Sequence, residues 1–243
     1  MSVTILLDWD NDTLDNTLDD MFGKRDIASI DKSKAKNDTE KVLSILDLNS
    51  KVGNAEIYSM TSDDIQAITE QKGVPLDKNG KESKPFTEED DAYLVIYPVE
   101  YNKIPSTSIM ATGENESLEC SKIFFIYSKS GIIGFEISGL FDEDKYSEEG
   151  TPISPLDACN KLKDFYNSII TDSLVNISEI KLVFINRRNF LTNDILNCKV
   201  EPVWLIHGNY KASYKDGKDT EDEYLSYISA LTGEIIPISS IGG

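Results

Sequence analysis

The chain has 243 residues, 40% of them hydrophobic and 28% charged, which is enough apolar material for one large domain or two smaller ones that each bury a core. Against 43 Asp plus Glu stand 24 Lys plus Arg, a formal charge of -19. That balance excludes partners held through a phosphate backbone, because affinity for nucleic acid rests on Lys and Arg displacing counterions, and it disfavours an anionic membrane surface for the same reason.

Residues 1–37 are dominated by Asp, Asn, Thr, Ser and Lys around one short apolar run, Val3 to Leu7, and read as an acidic arm or tether. No stretch of the chain reaches the roughly 18 apolar residues of a membrane span, and Met1 leads into acids without a basic n-region. The expected relation to a membrane is therefore only through an anchor removed ahead of Met1. Inside the arm, Asp8 and Asp10 end a strand-like run as Asp-x-Asp, the pattern of phosphatases that use one aspartate as nucleophile and the next as acid and base. One residue too many separates Asp10 from Thr13, and no alternating βαβ pattern follows. Asp8, Asp10 and Asp12 also hold positions 1, 3 and 5 of a calcium-loop pattern, but Thr13 stands where that loop needs Gly. These three aspartates are the metal-ligating candidates; no cofactor is expected.

A helix is expected to start at Asp38 or Thr39 and to end at or just before Gly53, with Val42, Leu43, Ile45, Leu46 and Leu48 on its apolar face. A strand from Ala55 to Met60, a helix from Ser62 to Gln71 and a long polar loop over 73–91 follow. Ala92 to Tyr97 is a strand rich in aromatic and β-branched residues. Leu118 to Tyr127 and Ile132 to Ile137 read as a hairpin whose turn uses Gly131 for a positive φ. The second half opens on Ser154-Pro155-x-Asp157, a strong helix start, with Ala158, Leu162, Phe165 and Ile169 at helical spacing. A strand from Ile177 to Ile185 exits into Arg187-Arg188, and two long strands, about 200–213 and 223–231, close the chain before a Thr232-Gly233 turn.

This order, a helix and then antiparallel strands, occurs twice. The fold class is α+β, with two tandem units over 38–146 and 147–243, each a helix packed on an antiparallel sheet. Cys120, Cys159 and Cys198 are odd in number and widely spaced, as expected of free thiols. His207, the single histidine, should share a strand face with Val203 and Leu205. No G-x-S-x-G elbow, P-loop or dinucleotide glycine pattern is present.

Pro202-Val203-Trp204, a polar loop and Ile228-Ser229-Ala230-Leu231-Thr232-Gly233-Glu234-Ile235-Ile236 together resemble the ending shared by PepSY-type domains and the YycH/YycI-like extracytoplasmic proteins of Gram-positive bacteria, along with related cell-surface lipoproteins. The resemblance covers about residues 92–238 and departs from the usual Asp-Ala before the turn, where this chain has Ser229-Ala230. It implies a location outside the cytoplasmic membrane and a regulatory or scaffolding role through an unidentified protein or peptide partner, without catalysis. The residues expected to bind are Arg187, Arg188, Trp204, Tyr210, Tyr224 and Tyr227, because aromatic and Arg side chains clustered at one sheet offer rigid contact area. The alternative is a metal-dependent hydrolase built on Asp8 and Asp10.

Overall fold

The structure, a computed structural model, describes residues 18–71, 85–107, 111–112, 116–119, 121–140, 150–169, 174–189, 199–213 and 219–236. Asp8, Asp10, Asp12, Cys120 and Cys198 lie outside these residues. The fold is α+β, and its strands pair antiparallel within each sheet. Two compact units divide the chain: Met1–Val99 with Lys122–Ser138, and Glu100–Ser121 with Gly139–Gly243. The expected split at 146/147 is thus replaced by an interleaved one, in which Glu100–Ser121 leaves the first half for the second unit.

In the first unit, α1 (Leu18–Met21), α2 (Lys32–Ile45) and α3 (Ser62–Gln71) accompany β1 (Glu56–Met60) and β2 (Ala92–Tyr97). Short strands β3 (Glu100–Tyr101), β4 (Ile104–Pro105), β5 (Ala111–Thr112) and β6 (Glu116–Glu119) belong to the second unit. The chain then returns to the first unit for β7 (Lys122–Ser128) and β8 (Gly131–Ser138), which complete a sheet of order β1-β2-β7-β8.

Both faces of this sheet are covered, which explains why β2 reads Ala-Tyr-Leu-Val-Ile-Tyr without polar alternation. Ala92 and Leu94 pack with Tyr58, Met60, Phe124 and Ile126 against Ile65 and Ile68 of α3 and against Phe22. The opposite face meets α2: the Tyr93 hydroxyl accepts from the Ile27 amide at 2.7 Å, and the Tyr97 hydroxyl lies 2.8 Å from Thr39 Oγ1. Tyr127 donates to Asp38 at 2.9 Å on that face, and Lys34 and Lys41 each reach the same carboxylate at 2.8 Å. These hydrogen bonds, from Lys34 first, hold the Asp38 carboxyl well below the usual carboxylate range and fasten α2 to the sheet.

Three expectations for this region are corrected. Helix α2 begins seven residues early, because Asp31 caps it by accepting from the Lys34 amide at 3.0 Å. With Phe22, Ile27, Ile30 and Ala35 each at most 6% exposed, the segment from Phe22 onward is anchored in the core and is not a tether. The helix also stops before Gly53: Asp47 takes a left-handed φ of 56°, and the amides of Asp47 and Leu48 turn back to the carbonyls of Ser44 and Leu43. Helix α3 starts as expected, with Thr61 and Asp64 exchanging side-chain-to-amide hydrogen bonds.

In the second unit, α4 (Pro155–Ile169) is followed by β9 (Leu174–Asn189), β10 (Lys199–Ser213), β11 (Asp219–Ser229) and β12 (Ile235–Ile236), giving a sheet of order β12-β11-β10-β9-β6-β5. The expected single strand over 118–127 is two: β6 pairs with β9 and β7 with β2, since the chain changes unit at Ser121. Helix α4 opens as read from sequence, Ser154 Oγ accepting from the Asp157 amide at 3.1 Å and donating to its carboxylate at 2.7 Å. Ala158 and Leu162 pack with Ile206, Tyr224 and Ile228 on one face of the sheet. Val183, Ile185, Val203, Tyr227 and Ile236 form a separate buried cluster. Gly208 sits at a register shift in the β9–β10 ladder, where a Cβ would stand 2.1 Å from the Asn176 carbonyl oxygen. Gly131 and Gly233 take the positive φ values, 103° and 72°, that their turns require.

Candidate functional site

Of the residues expected to bind, Arg187, Trp204, Tyr224 and Tyr227 do not form one surface. Arg187 of β9 donates through Nη1 to Glu201 Oε1 of β10 at 2.7 Å, while Lys199 Nζ holds the other carboxylate oxygen at 2.9 Å. Glu201 is buried, so two cations neutralise one desolvated carboxylate and Arg187 is committed to that pair. The cavity beside them, reaching Ser229 and Glu234, is about 50 Å³, room for about a water or two and far below a ligand pocket. Trp204 is half-buried and donates through Nε1 to the Ile153 carbonyl at 3.0 Å, tying the approach to α4 onto the sheet.

Tyr224 and Tyr227 are core residues, and here the reading from sequence is corrected. Tyr227 is fully buried in the Val183–Ile236 cluster, and burial pushes its hydroxyl up to about 12. Tyr224 lies in the other cluster beneath α4, edge-on to Tyr166 at 5.8 Å, and burial, with Tyr166 and Cys159 nearby, pushes it up to about 12 as well. Three positions apart on one strand, the two rings belong to different packed clusters and make no shared groove. Cys159 is a half-buried free thiol that burial pushes up. The side chains of Arg188 and Tyr210 lie outside the described residues.

A buried polar cluster that sequence reasoning missed pins Glu100–Ser121 within the second unit. Asn186, fully buried on β9, donates through Nδ2 to Ser121 Oγ at 2.8 Å, and Ser121 Oγ donates to the Gly139 carbonyl at 2.8 Å. These hydrogen bonds hold backbone segments of the second unit together, which is a structural role.

The first unit offers two further features. A cleft of about 480 Å³ opens at the start of α2, between Asp26, Lys32, Lys36 and Tyr93. Its lysines are engaged: Lys32 donates to the Lys24 carbonyl at 2.9 Å, and Lys36 lies 3.7 Å from Glu40. The other feature is the outer strand β8. At the opposite edge, β1 is bridged by Gly23, whose carbonyl accepts from the Ser59 amide at 2.7 Å, whereas no strand among the described residues pairs with the outer edge of β8. On β8, Ile133 is 56% and Phe135 60% exposed, the latter stacked on buried Phe125 with ring centroids 5.9 Å apart.

Fold and sites define a protein of the α+β class with three antiparallel sheets among the described residues, of four, six and two strands, and exposed apolar side chains at one sheet edge. Among solved structures, the chain is similar to an uncharacterized protein from Eubacterium rectale ATCC 33656, at 18% identity and a TM-score of 0.59, over 91% of this chain and 60% of that one. The likeness is one of fold, and the chain spans about three fifths of that protein's length. No protein-family model and no curated protein matches the chain.

Proposed function

We propose that the protein is a non-enzymatic binding or regulatory module that acts through protein or peptide contact outside the cytoplasmic membrane. The observation that carries this reading is the pair Ile133 and Phe135, large apolar side chains more than half exposed on a strand whose outer edge pairs with no strand among the described residues, in a chain of charge -19. Neighbouring apolar side chains left exposed on a strongly charged chain are the surface expected of a contact site. The extracytoplasmic location rests on the resemblance of the terminal hairpin to PepSY-type and YycH/YycI-like proteins. As part of the same proposal, the two interleaved units are each a helix-on-sheet module, with α2 over the four-stranded sheet and α4 over the six-stranded one.

The test is photo-cross-linking in the cells that make the protein, with a photoreactive phenylalanine analogue at position 135 and, as control, at exposed position 163 on α4. A discrete protein adduct from position 135 and none from 163 is expected. No adduct, or equal adducts from both positions, overturns the reading, and recovery of the protein from the cytoplasmic fraction alone overturns the location.

A further inference from the structure

Resting on the binding-module reading, we propose that the outer edge of β8 over Gly134–Ser138 accepts a short, extended, basic segment of a partner protein as a fifth strand of the first sheet. An outer strand presents a row of amides and carbonyls that an incoming strand can pair, and natural proteins usually blunt such an edge with Lys, Pro or a bulge. Strand β8 reads Gly-Ile-Ile-Gly-Phe-Glu-Ile-Ser and contains neither Lys nor Pro. It does carry a bulge: Ile132 lies opposite Tyr127 and Gly134 opposite Ile126, leaving Ile133 as the extra residue. From Gly134 to Ser138 the register is regular, so pairing there is limited to about five residues. Phe135 stands in that regular part, and Ile133 at its boundary supplies a second apolar contact.

The same features choose the occupant. A bulge that interrupts the edge and a charge of -19 on each copy both work against two copies zipping edge to edge. The acids near the turn end of β8 favour cations in the partner. Glu88, Glu89 and Asp90 are exposed in a short 3-10 turn just before β2, and Lys129 of the β7–β8 turn already pairs with Glu89. Ser128 lies opposite both Ala92 and Gly131, so those acids flank the turn end of β8, about two strand spacings in from its outer edge. The partner segment is therefore about five residues of alternating β-branched side chains with Lys or Arg at its ends.

The probe is the synthetic peptide Lys-Lys-Val-Thr-Val-Ile-Val-Lys-Lys, measured by calorimetry against the full chain. It is compared with a version carrying Glu for Lys and a version N-methylated at alternate core residues. Binding in the micromolar range is expected, weakened at least tenfold by either change and by Phe135→Thr or Ile133→Thr. Ile45→Thr, at an exposed apolar residue outside β8, leaves binding unchanged. Circular dichroism checks the fold of each variant, and Ile133→Thr stands in if Phe135→Thr fails to fold. The proposal is overturned if the basic peptide does not bind, if the acidic or N-methylated peptide binds as well, or if Ile45→Thr weakens binding as much as the β8 variants. It is also overturned if sedimentation shows a dimer that Phe135→Thr dissociates, or if the peptide binds only after residues 1–17 are removed, since the occupant is then a second copy or the chain's own segment. A cross-link from position 135 in cells combined with failure of the basic peptide removes the partner chemistry but leaves the binding module standing; loss of both removes the module.

Discussion

Replacing Gly208 by Ala puts a methyl group where the six-stranded sheet has no space. The new Cβ falls 2.1 Å from the Asn176 carbonyl oxygen on β9 and 2.8 Å from both Cε1 and the hydroxyl oxygen of Tyr224 on β11. The first neighbour is backbone and the second a packed ring, so neither yields as a surface side chain would. Relief requires the β9–β10 ladder to part by about 1 Å, enough to forfeit contacts and a ladder hydrogen bond. Overpacking in a core costs about 1–3 kcal/mol, and with backbone as the obstacle the upper value, about 3 kcal/mol, is expected. Urea unfolding followed by Trp204 fluorescence in a Trp9→Phe background reports on this sheet. The midpoint should fall by roughly 1–1.5 M. Gly134→Ala is the control: its nearest neighbour is Ile126 Cδ1 at 3.7 Å, an ordinary contact, and the change should stay within about 0.5 kcal/mol. If Gly208→Ala shifts stability no more than Gly134→Ala, the close approach at the bulge is wrong.

Asn186→Ala should cost about 1–3 kcal/mol in the same urea assay, because it strips the buried Ser121 hydroxyl of a donor; a loss under about 0.5 kcal/mol contradicts a pinning role for this cluster. Tyr227 titrates near 10 when unfolded and is pushed up to about 12 in the folded chain. The unfolded state therefore releases its proton first, so the stabilising contribution is complete below pH 10 and is lost as pH rises towards 12, by roughly 2–3 kcal/mol. Tyr227→Phe should flatten that part of the stability curve, and an unchanged alkaline slope would count against the burial of its hydroxyl. Asp47→Gly should stabilise α2 by about 0.5–1 kcal/mol, seen as a higher Tm, since glycine holds a φ of 56° without a Cβ penalty; destabilisation refutes the left-handed helix stop.

Local rules made much of the fold legible in the sequence. Ser154-Pro155-x-Asp157 announced α4, Gly131 announced the β7–β8 turn, and the parity of β10 placed Val203 and Ile206 in different clusters. The start of α2 was missed because its buried positions are Ala35, Thr39 and Leu43, a stripe with only one strongly apolar member, and because its cap lies ahead of any apolar run. Thr39 carries no hydrophobic signal at all, yet it is fully buried with its hydroxyl bonded to the Ala35 carbonyl and close to Tyr97. The break between β6 and β7 was hidden because each pairs with a strand distant in sequence, in a different unit. The tyrosines misled in another way: a Tyr in a strand reads equally as a contact residue or as core, and only the packing partners of Tyr224 and Tyr227 decide. That β8 is an outer strand is likewise a property of the pairing order, which no local window contains.

Hydrogen exchange on the full chain, with and without the basic peptide, tests the central claim most directly, because it reports both that a strand is added and where. If the peptide pairs with β8, amide exchange over Gly134–Ser138 slows while exchange over Pro155–Ile169 of α4 stays unchanged. Unaltered exchange in β8 at saturating peptide, or slowing centred on the Arg187–Glu201 region of the other sheet, contradicts it.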